Sequence, residues 1–263
     1  MLFIFDFDGT LTDSDVEQPT FLEFCAAELA VETRLWVHDI STIMDSTLSE
    51  MIEHPENYPW IFAGQAVSSA IGDPYLRFIW QASGVLDVAN CYKDQDRRDR
   101  FLHLLLTSHA PRIRTFRDGA KKLLSRCSKC CVVSNCSQSV IVENLVNLFW
   151  SSPSPKVVGS ANKHHIDPKF TLVPESLQIN GFPRPVLLRR AEYYRILDEI
   201  RTAQDYEWSR TTVVGNDFEQ DLALPAHLGA NIILVKNALT PRWEIEHVAQ
   251  FDRGRVIQSL GQV

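Results

Sequence analysis

The chain has 263 residues, of which 45% are hydrophobic and 22% charged, the balance of an ordinary folded protein rather than a disordered or fibrous one. Its formal net charge of -7 argues against a surface for nucleic acid or for anionic membranes. The sequence lacks an apolar stretch of the roughly 20 residues that a membrane span needs, and its first residues lack the basic start of a signal peptide. We therefore expect a cytoplasmic protein without nucleic-acid or membrane partners, and the sequence leaves its oligomeric state open.

The first predicted element is a buried strand over residues 2–5, which leads directly into two acids, Asp6 and Asp8. In an open parallel sheet, ligands bind at the carboxyl ends of the strands. Two acids this close repel each other and stay ionised only when a cation or hydrogen-bond donors compensate them. Gly9 permits a sharp turn, and Thr10 adds a hydroxyl and an amide just beyond it. The pattern favours a functional site over a capped turn, since a bare turn does not need two acids.

This segment resembles motif I of the haloacid dehalogenase (HAD) superfamily, Asp-x-Asp-Gly-Thr, and matches it at every position. The resemblance implies that Asp6 is the nucleophile that becomes an aspartyl-phosphate, and that Asp8 is the general acid and base. The residue types suit this chemistry, because a carboxylate can attack phosphorus and leave again, and a second carboxyl can move the protons. Members of the family that cleave carbon–halogen bonds lack the second acid. Asp8 therefore favours phosphoryl transfer.

Apolar residues at helical spacing dominate the next part of the chain, where prolines and a glycine separate several short segments. We predict a mostly α-helical insertion over residues 14–112. By the resemblance, this insertion is a cap between the first and second motifs, and residues 1–13 and 113–263 form a Rossmann-like catalytic core.

Strands and helices alternate after the insertion. The predicted elements are a helix over 116–126, a strand over 130–133, a helix over 138–149, a strand over 186–188, a helix over 191–203, a strand over 212–214, a helix over 219–228, a strand over 232–235 and a helix over 242–248. Residues 151–184 are rich in Pro and Ser and are expected to form a functional loop or a small hairpin. The repeated strand–helix units predict an α/β fold with a doubly wound parallel sheet, HAD-like and Rossmannoid, that carries the inserted α-helical cap.

Ser134 follows a predicted buried strand and precedes a helix, so its hydroxyl and the amide of Asn135 can meet an anion there. The family's second motif places a phosphate-holding Ser or Thr at this point. A Ser before a helix is more often only a helix cap, but the position after the second core strand favours the functional role. We predict that Thr10, Ser134 and Asn135 bind the substrate.

A second acidic pair, Asp217 and Asp221, follows the strand over 212–214. A spacing of four residues at a helix start places both acids on the same side. They resemble the family's fourth motif, which implies that Asp217 is a magnesium ligand supported by Asp221; the alternative is a helix cap and a solvated acid. Two acidic clusters at strand ends suit a hard cation. We predict Mg²⁺ bound by Asp6, Asp8 (through its main-chain carbonyl), Asp217 and Asp221.

The third motif of the family, a Lys that neutralises the nucleophile and the phosphate, has no clear match. Arg190, just after the strand over 186–188, is the predicted catalytic replacement, because an Arg keeps the charge and can bridge two phosphate oxygens. A surface Arg pair that opens a helix is an equally good interpretation. The other candidates for this role are Arg184, Arg189, Lys163 and Lys169.

Together, the residues and the resemblance predict a magnesium-dependent phosphatase that hydrolyses a small phosphorylated metabolite. The Arg at the third motif motivates one alternative, a catalytically weak HAD-like binding or regulatory protein. Another alternative is a phosphotransferase or phosphomutase that passes the aspartyl-phosphate group to an acceptor other than water.

Overall fold

The computed structural model describes residues 1–109, 112–149 and 155–263. Residues 110–111 and 150–154 lie outside the described residues. The predicted insertion and the predicted Pro- and Ser-rich segment each include part of these two gaps. Within the described chain, no helix is both long enough and apolar enough to span a membrane.

The strands, in chain order, are β1 (Leu2–Phe5), β2 (Pro59–Phe62), β3 (Gln65–Ser69), β4 (Cys130–Val133), β5 (Lys156–Val158), β6 (Ser176–Leu177), β7 (Val186–Leu187), β8 (Thr211–Gly215), β9 (Asn231–Val235) and β10 (Gly254–Ile257). Six of them form one parallel sheet in the order β10-β9-β8-β1-β4-β5. From β1 the chain adds β4 and β5 on one side and β8 to β10 on the other, so the strand order reverses beside β1. In such sheets, the reversal is where a crevice forms at the carboxyl ends of the strands.

The α-helices, in chain order, are α1 (Ser14–Thr33), α2 (Val37–Glu53), α3 (Pro74–Val88), α4 (Gln95–His109), α5 (Ala120–Arg126), α6 (Gln138–Phe149), α7 (Ala191–Ala203), α8 (Ala223–His227) and α9 (Arg242–Gln250). Alternating residues of β1 explain how helices cover both sheet faces. Leu2 and Ile4 pack in a cluster that includes apolar residues of α7 and α9. Phe5 packs in a second cluster, with residues of α5 and α6. The predicted α/β fold with a doubly wound parallel sheet is confirmed.

The segment between β1 and α5 contains α1 to α4, whose apolar faces form a cluster of their own around Phe78 and Leu86. It also contains a β-hairpin, β2 paired antiparallel with β3, which the sequence analysis did not predict. The turn between the two strands has positive φ angles at Ala63 (49°) and Gly64 (78°). Consecutive residues with positive φ fit the right-handed twist of a two-residue hairpin.

Three predicted elements differ from the structure. The helix predicted from residue 116 begins only at Ala120, because Gly119 has a φ of 89°, outside the right-handed helical region. The strand at 186–187 pairs antiparallel with β6 and is not part of the central sheet. The helix predicted over 219–228 is a π-helical turn, Phe218–Leu222, followed by α8. The strands β5 and β10 at the two edges of the sheet were not predicted.

Candidate active site

A small cavity lies at the carboxyl edge of the central sheet, next to the strand reversal. Its volume is about 70 Å³. A water molecule needs about 10–15 Å³ of cavity, so this space holds a group of phosphoryl size rather than a whole large metabolite. One ammonium group, that of Lys163, and five carboxyl groups line it: Asp6, Asp8, Asp73, Asp217 and Asp221. Larger cavities exist, including one of about 340 Å³ beside Phe3 and Cys127, but no Asp or Glu side chain lines that cavity.

The turn after β1 is held against the loop after β8. The N–H of Asp6 donates to the carbonyl of Val214 at 2.9 Å, which continues the pairing of the two strands. Gly9 has a φ of 76°, and a Cβ there would lie 2.7 Å from the Asn216 side chain. The hydroxyl of Thr10 is buried and donates to Asn216 Oδ1 at 2.9 Å. Thr10, predicted to bind substrate, therefore connects two loops and is not part of the cavity lining.

Lys163 joins two of the predicted acids. Its Nζ lies 2.7 Å from Asp6 Oδ1 and 2.7 Å from Asp221 Oδ1, and the residue is only 1% exposed. Burial by itself lowers the pKa of this ammonium, but Asp221 and Asp6 outweigh burial and the net pKa is raised. The ammonium therefore stays charged next to Asp6.

The position of Lys163 corrects the prediction for Arg190. Arg190 is fully buried, and its guanidinium donates to main-chain carbonyls: Nη1 to Lys163, Nη2 to Val67 at 2.7 Å and Nε to Leu187 at 3.2 Å. It is not part of the cavity lining. Because its guanidinium donates to carbonyls, Arg190 holds the main chain at Lys163 and donates to none of the carboxylates that line the cavity. Lys163, an alternative in the sequence analysis, takes its place in the site.

Both carboxylate oxygens of Asp221 accept hydrogen bonds from other groups of the protein. One oxygen accepts from Lys163, and the other accepts the N–H groups of Asn216 and Asp217, both at 3.2 Å. A Cβ on Gly215 would lie 2.4 Å from Asp221 Cβ, so only glycine leaves room for this packing. The hydrogen bonds leave Asp221 little capacity for a metal, in contrast to the prediction that it is a ligand. It supports the site by holding Lys163 and the loop that carries Asp217.

Asp217 begins the π-helical turn after β8. Its Oδ1 accepts the N–H of Gln220 at 3.0 Å, and its Oδ2 accepts the Gln220 side-chain amide at 3.1 Å. Burial and the charges of Asp221 and Glu219 raise the pKa of Asp217 to about 7. Asp6 is raised to about the same pKa by burial, although Lys163 opposes the shift. Burial therefore opposes the ionisation of both carboxyl groups, and at Asp6 it outweighs the nearby Lys163 ammonium.

Asp6 and Asp217 suit a partly hydrated magnesium ion better than a site made only of protein ligands. Among the described residues, no three His, Cys, Asp or Glu side chains are close enough together to hold a metal by themselves. Mg²⁺ usually keeps several waters and takes only one or two protein carboxylates together with substrate phosphate. Asp6 and Asp217 could supply such a pair, and a divalent cation would offset the charge that raises their pKa values. The residues therefore fit Mg²⁺ as a partly hydrated ion.

Asp8 lies on the side of the cavity that faces the insertion. Its Oδ1 is 3.4 Å from Arg114 Nε, and its side chain is 30% exposed. Burial raises the pKa of Asp8, Arg114 opposes this effect, and the charge of Asp73 adds to it. A carboxyl group with a raised pKa that is open to the cavity is suited to donate and accept a proton.

The predicted phosphate-binding pair, Ser134 and Asn135, lines the same cavity. Ser134 Oγ accepts the N–H of Cys136 at 3.3 Å and lines the cavity. Asn135 accepts the N–H of Lys163 at 2.8 Å and donates to Gln220 Oε1 at 3.0 Å. The Asn135 side chain therefore positions its neighbours. Ser134 remains the hydroxyl available to a ligand from this loop.

The hairpin of the insertion is attached to the same loops. In β3, the carbonyl of Val67 accepts from Arg190, Ser68 Oγ accepts from Gln220 Nε2 at 3.1 Å, and the N–H of Ser69 donates to Glu219 Oε1 at 2.8 Å. These contacts connect the hairpin to the loop after β8 and, through Arg190, to the start of α7. The sequence analysis missed Asp73, Gln220 and this hairpin. The only available signal was the pair Asp73-Pro74, which is typical of a helix start.

No protein-family model matches the sequence, and a search of curated proteins found no relative. Among solved structures, the HAD-hydrolase YfnB from Bacillus subtilis, bound to magnesium, is 14% identical and covers 99% of this chain and 95% of its own, with a TM-score of 0.52. A haloacid dehalogenase-like hydrolase from Bacteroides fragilis is 13% identical, with coverages of 99% and 98% and a TM-score of 0.53. At such identities the likeness concerns the fold, and a fold alone does not choose a reaction. The chain has the fold of the HAD-like hydrolases.

Proposed function

We propose that this protein is a magnesium-dependent phosphatase that hydrolyses a small phosphorylated metabolite through an aspartyl-phosphate on Asp6. The observation that carries the proposal is the position of Asp6 at the end of β1, with the Lys163 ammonium 2.7 Å from its carboxylate. A carboxylate beside a fixed ammonium can attack an anionic phosphoryl group, since the ammonium lowers the repulsion between the two. In this proposal residues 14–112 act as the cap, and the remainder is the catalytic core.

In this proposal, six residues of the cavity lining have distinct roles. Asp6 attacks phosphorus, and Ser134 donates its hydroxyl to a phosphoryl oxygen. Asp8 protonates the departing alcohol oxygen and then takes a proton from the water that hydrolyses the aspartyl-phosphate. Lys163 orients Asp6 and favours its ionised form, and Asp221 holds Lys163 in place. Asp6, Asp217 and the main-chain carbonyl of Asp8 would hold Mg²⁺, which supplies positive charge for the phosphoryl oxygens when bound.

The carboxyl group of Asp8 supports phosphoryl transfer over cleavage of a carbon–halogen bond. The latter reaction has no alkoxide leaving group for a second acid to protonate. The alternative of a catalytically weak binding protein loses its main support, because Lys163 supplies the ammonium whose absence suggested it.

The test is hydrolysis of p-nitrophenyl phosphate by the purified chain, with magnesium and with EDTA. We expect activity that requires magnesium and that falls about 10³-fold or more in Asp6→Asn. Asp13→Asn is the matched control, since the Asp13 side chain makes no helix-capping hydrogen bond and does not line the cavity. Equal release of phosphate and p-nitrophenol, even with alcohols added as acceptors, distinguishes hydrolysis from transfer. Full activity in Asp6→Asn contradicts the proposal.

A further inference from the structure

The connection between α5 and β4 holds two thiols in contact, those of Cys127 and Cys130. The Sγ of Cys130 lies 3.3 Å from the carbonyl oxygen of Cys127, and the Sγ of Cys127 lies 3.6 Å from the carbonyl oxygen of Lys129. The two thiols also hydrogen-bond to each other. A disulfide needs sulfur atoms about 2.0 Å apart. Because these thiols are already neighbours, side-chain rotation can bring them together.

The alternation of side chains along β4 makes Cys127 the partner of Cys130. Cys130 packs on the side of the sheet that α5 and α6 cover, whereas Cys131 is 1% exposed and packs on the other side. Within the described part of the chain, no three His, Cys, Asp or Glu side chains form a metal-binding group. A Cys-x-x-Cys pair without further metal ligands is typical of a redox-active dithiol.

Cys127 is the more accessible of the two thiols. It lines the cavity of about 340 Å³ between α5, β1 and residues 260–263, and Cys130 does not. Lys122 and Arg126 line the same cavity; both are exposed, and neither forms an ion pair with another described residue. A small molecule that enters this cavity therefore meets Cys127 beside two cations, which favour a reagent that carries carboxylates.

The hydrogen bond between the thiols gives them different reactivity. It lowers the pKa of Cys127 to about 7, although burial opposes this shift. The same hydrogen bond and burial raise the pKa of Cys130. The thiolate is the form that attacks a disulfide. Access and ionisation thus both make Cys127 the attacking thiol and Cys130 the thiol that completes the exchange.

We propose that Cys127 and Cys130 form a redox-active dithiol that glutathione disulfide oxidises to a disulfide. The Cys127 thiolate attacks one sulfur of glutathione disulfide, the S–S bond breaks and one glutathione thiolate leaves. Cys130 then gives up its proton and attacks the Cys127 sulfur of the mixed disulfide, which releases the second glutathione thiolate. The two thiol protons of the protein pass to the two glutathione thiolates, so one disulfide is reduced as the other forms. This inference does not depend on the proposed function.

The test incubates the purified, reduced full chain with glutathione disulfide at neutral pH and follows its intact mass. We expect wild type to lose two hydrogen atoms, and peptide mapping to find Cys127 linked to Cys130. In Cys130→Ser a single glutathione adduct should accumulate on Cys127, because the second step is absent. In Cys127→Ser the adduct on Cys130 should form at least about tenfold more slowly, since that thiol is less ionised and less accessible.

The double variant Cys127→Ser/Cys130→Ser is the control for the other cysteines and should stay unmodified. A thermal melt of each reduced variant checks that it is folded. Peptide mapping of wild type needs no substitution, so it decides the case even where a variant does not fold. Three results would each overturn the proposal: a wild type that keeps both thiols, equal adduct rates in the two single variants, or a double variant modified as fast as wild type.

Discussion

The carboxyl edge of the sheet and the hairpin that lies against it are held by different kinds of contact. At the edge, charged side chains meet one another, as Lys163 meets Asp6 and Asp221. In β3, two of the three contacts described above use main-chain groups of the hairpin, at Val67 and Ser69. The edge therefore depends on the identity of its side chains, whereas the hairpin depends mainly on its backbone position. The sheet edge and the hairpin are therefore connected through residues next to the acids. Gln220 is one of them, because it bonds to both Asp217 and Ser68.

The largest effect is expected from removing the ammonium at the edge, in Lys163→Met. This change leaves Asp6 and Asp221 buried without their cation, so the free energy of unfolding should fall by about 3–5 kcal/mol. The rate constant kcat should fall about 10³-fold or more. Urea unfolding and steady-state kinetics measure the two effects. Lys169→Met is the control, because Lys169 is exposed and its side chain makes no described contact. Similar losses in both variants would contradict the dependence of the sheet edge on the Lys163 ammonium.

A smaller effect is expected from Arg190, which connects the two regions. In Arg190→Lys a single ammonium cannot reach the carbonyls of both Lys163 and Val67 as the guanidinium fork does. We expect kcat to fall about 10-fold to 100-fold, with a loss of about 1–3 kcal/mol in stability because a buried carbonyl is left unpaired.

Arg189→Lys provides the matched control for this change. Arg189 donates to the carbonyl of Pro168 at 3.0 Å, away from the cavity. If Arg190→Lys behaves like Arg189→Lys, the edge does not need the hairpin in order to position Lys163.

The smallest effect is expected from removing the charge of Asp217, in Asp217→Asn. Because the pKa of Asp217 is raised to about 7 in the folded protein, from an ordinary value of 3.8, the folded state binds this proton more tightly than the unfolded chain. Stability therefore falls as the pH rises through this range, and Asn avoids the loss. Without magnesium, we expect Asp217→Asn to melt a few degrees higher than wild type at pH 8, on a scale of about 2–4 °C per kcal/mol.

The difference between Asp217→Asn and wild type should shrink toward pH 4. Magnesium should raise the melting temperature of wild type and have little effect on the variant. A variant that melts below wild type at pH 8 would contradict the raised pKa of Asp217. A variant that magnesium stabilises as much as wild type would place the metal away from Asp217.

Much of the sheet could be predicted because its strands are short apolar runs between helical patterns, as at residues 232–235. The edge strands could not. β5 has three residues and follows a Pro- and Ser-rich stretch, and β10 contains Gly254 and Arg255, so neither has a periodic signal. The hairpin was missed because its turn places Ala63 at positive φ. Alanine is not a residue that marks such a turn in a sequence.

The acids of the site were predictable because Asp6 and Asp217 each follow an apolar strand. Lys163 could be named only as an alternative, since no helix or strand begins near it. Its position depends on two hydrogen bonds that bring an irregular segment across the sheet edge. The N–H of Ala161 donates to the carbonyl of Ser134, and the N–H of Lys163 donates to the side-chain oxygen of Asn135. Arg190 was preferred because it follows a predicted strand, but that strand lies outside the central sheet, so the residue points elsewhere.

The close packing of Gly215 against Asp221 limits which substitutions can raise the thermal stability of this protein. Replacing a strand glycine with alanine is a common recipe for stiffening a chain, and the backbone of Gly215 does not have the positive φ that would forbid it. Here the added methyl would collide with Asp221 and push it off the lysine it holds. A substitution chosen for thermostability would thus disrupt the contact between Asp221 and Lys163, at a position that carries no charge itself.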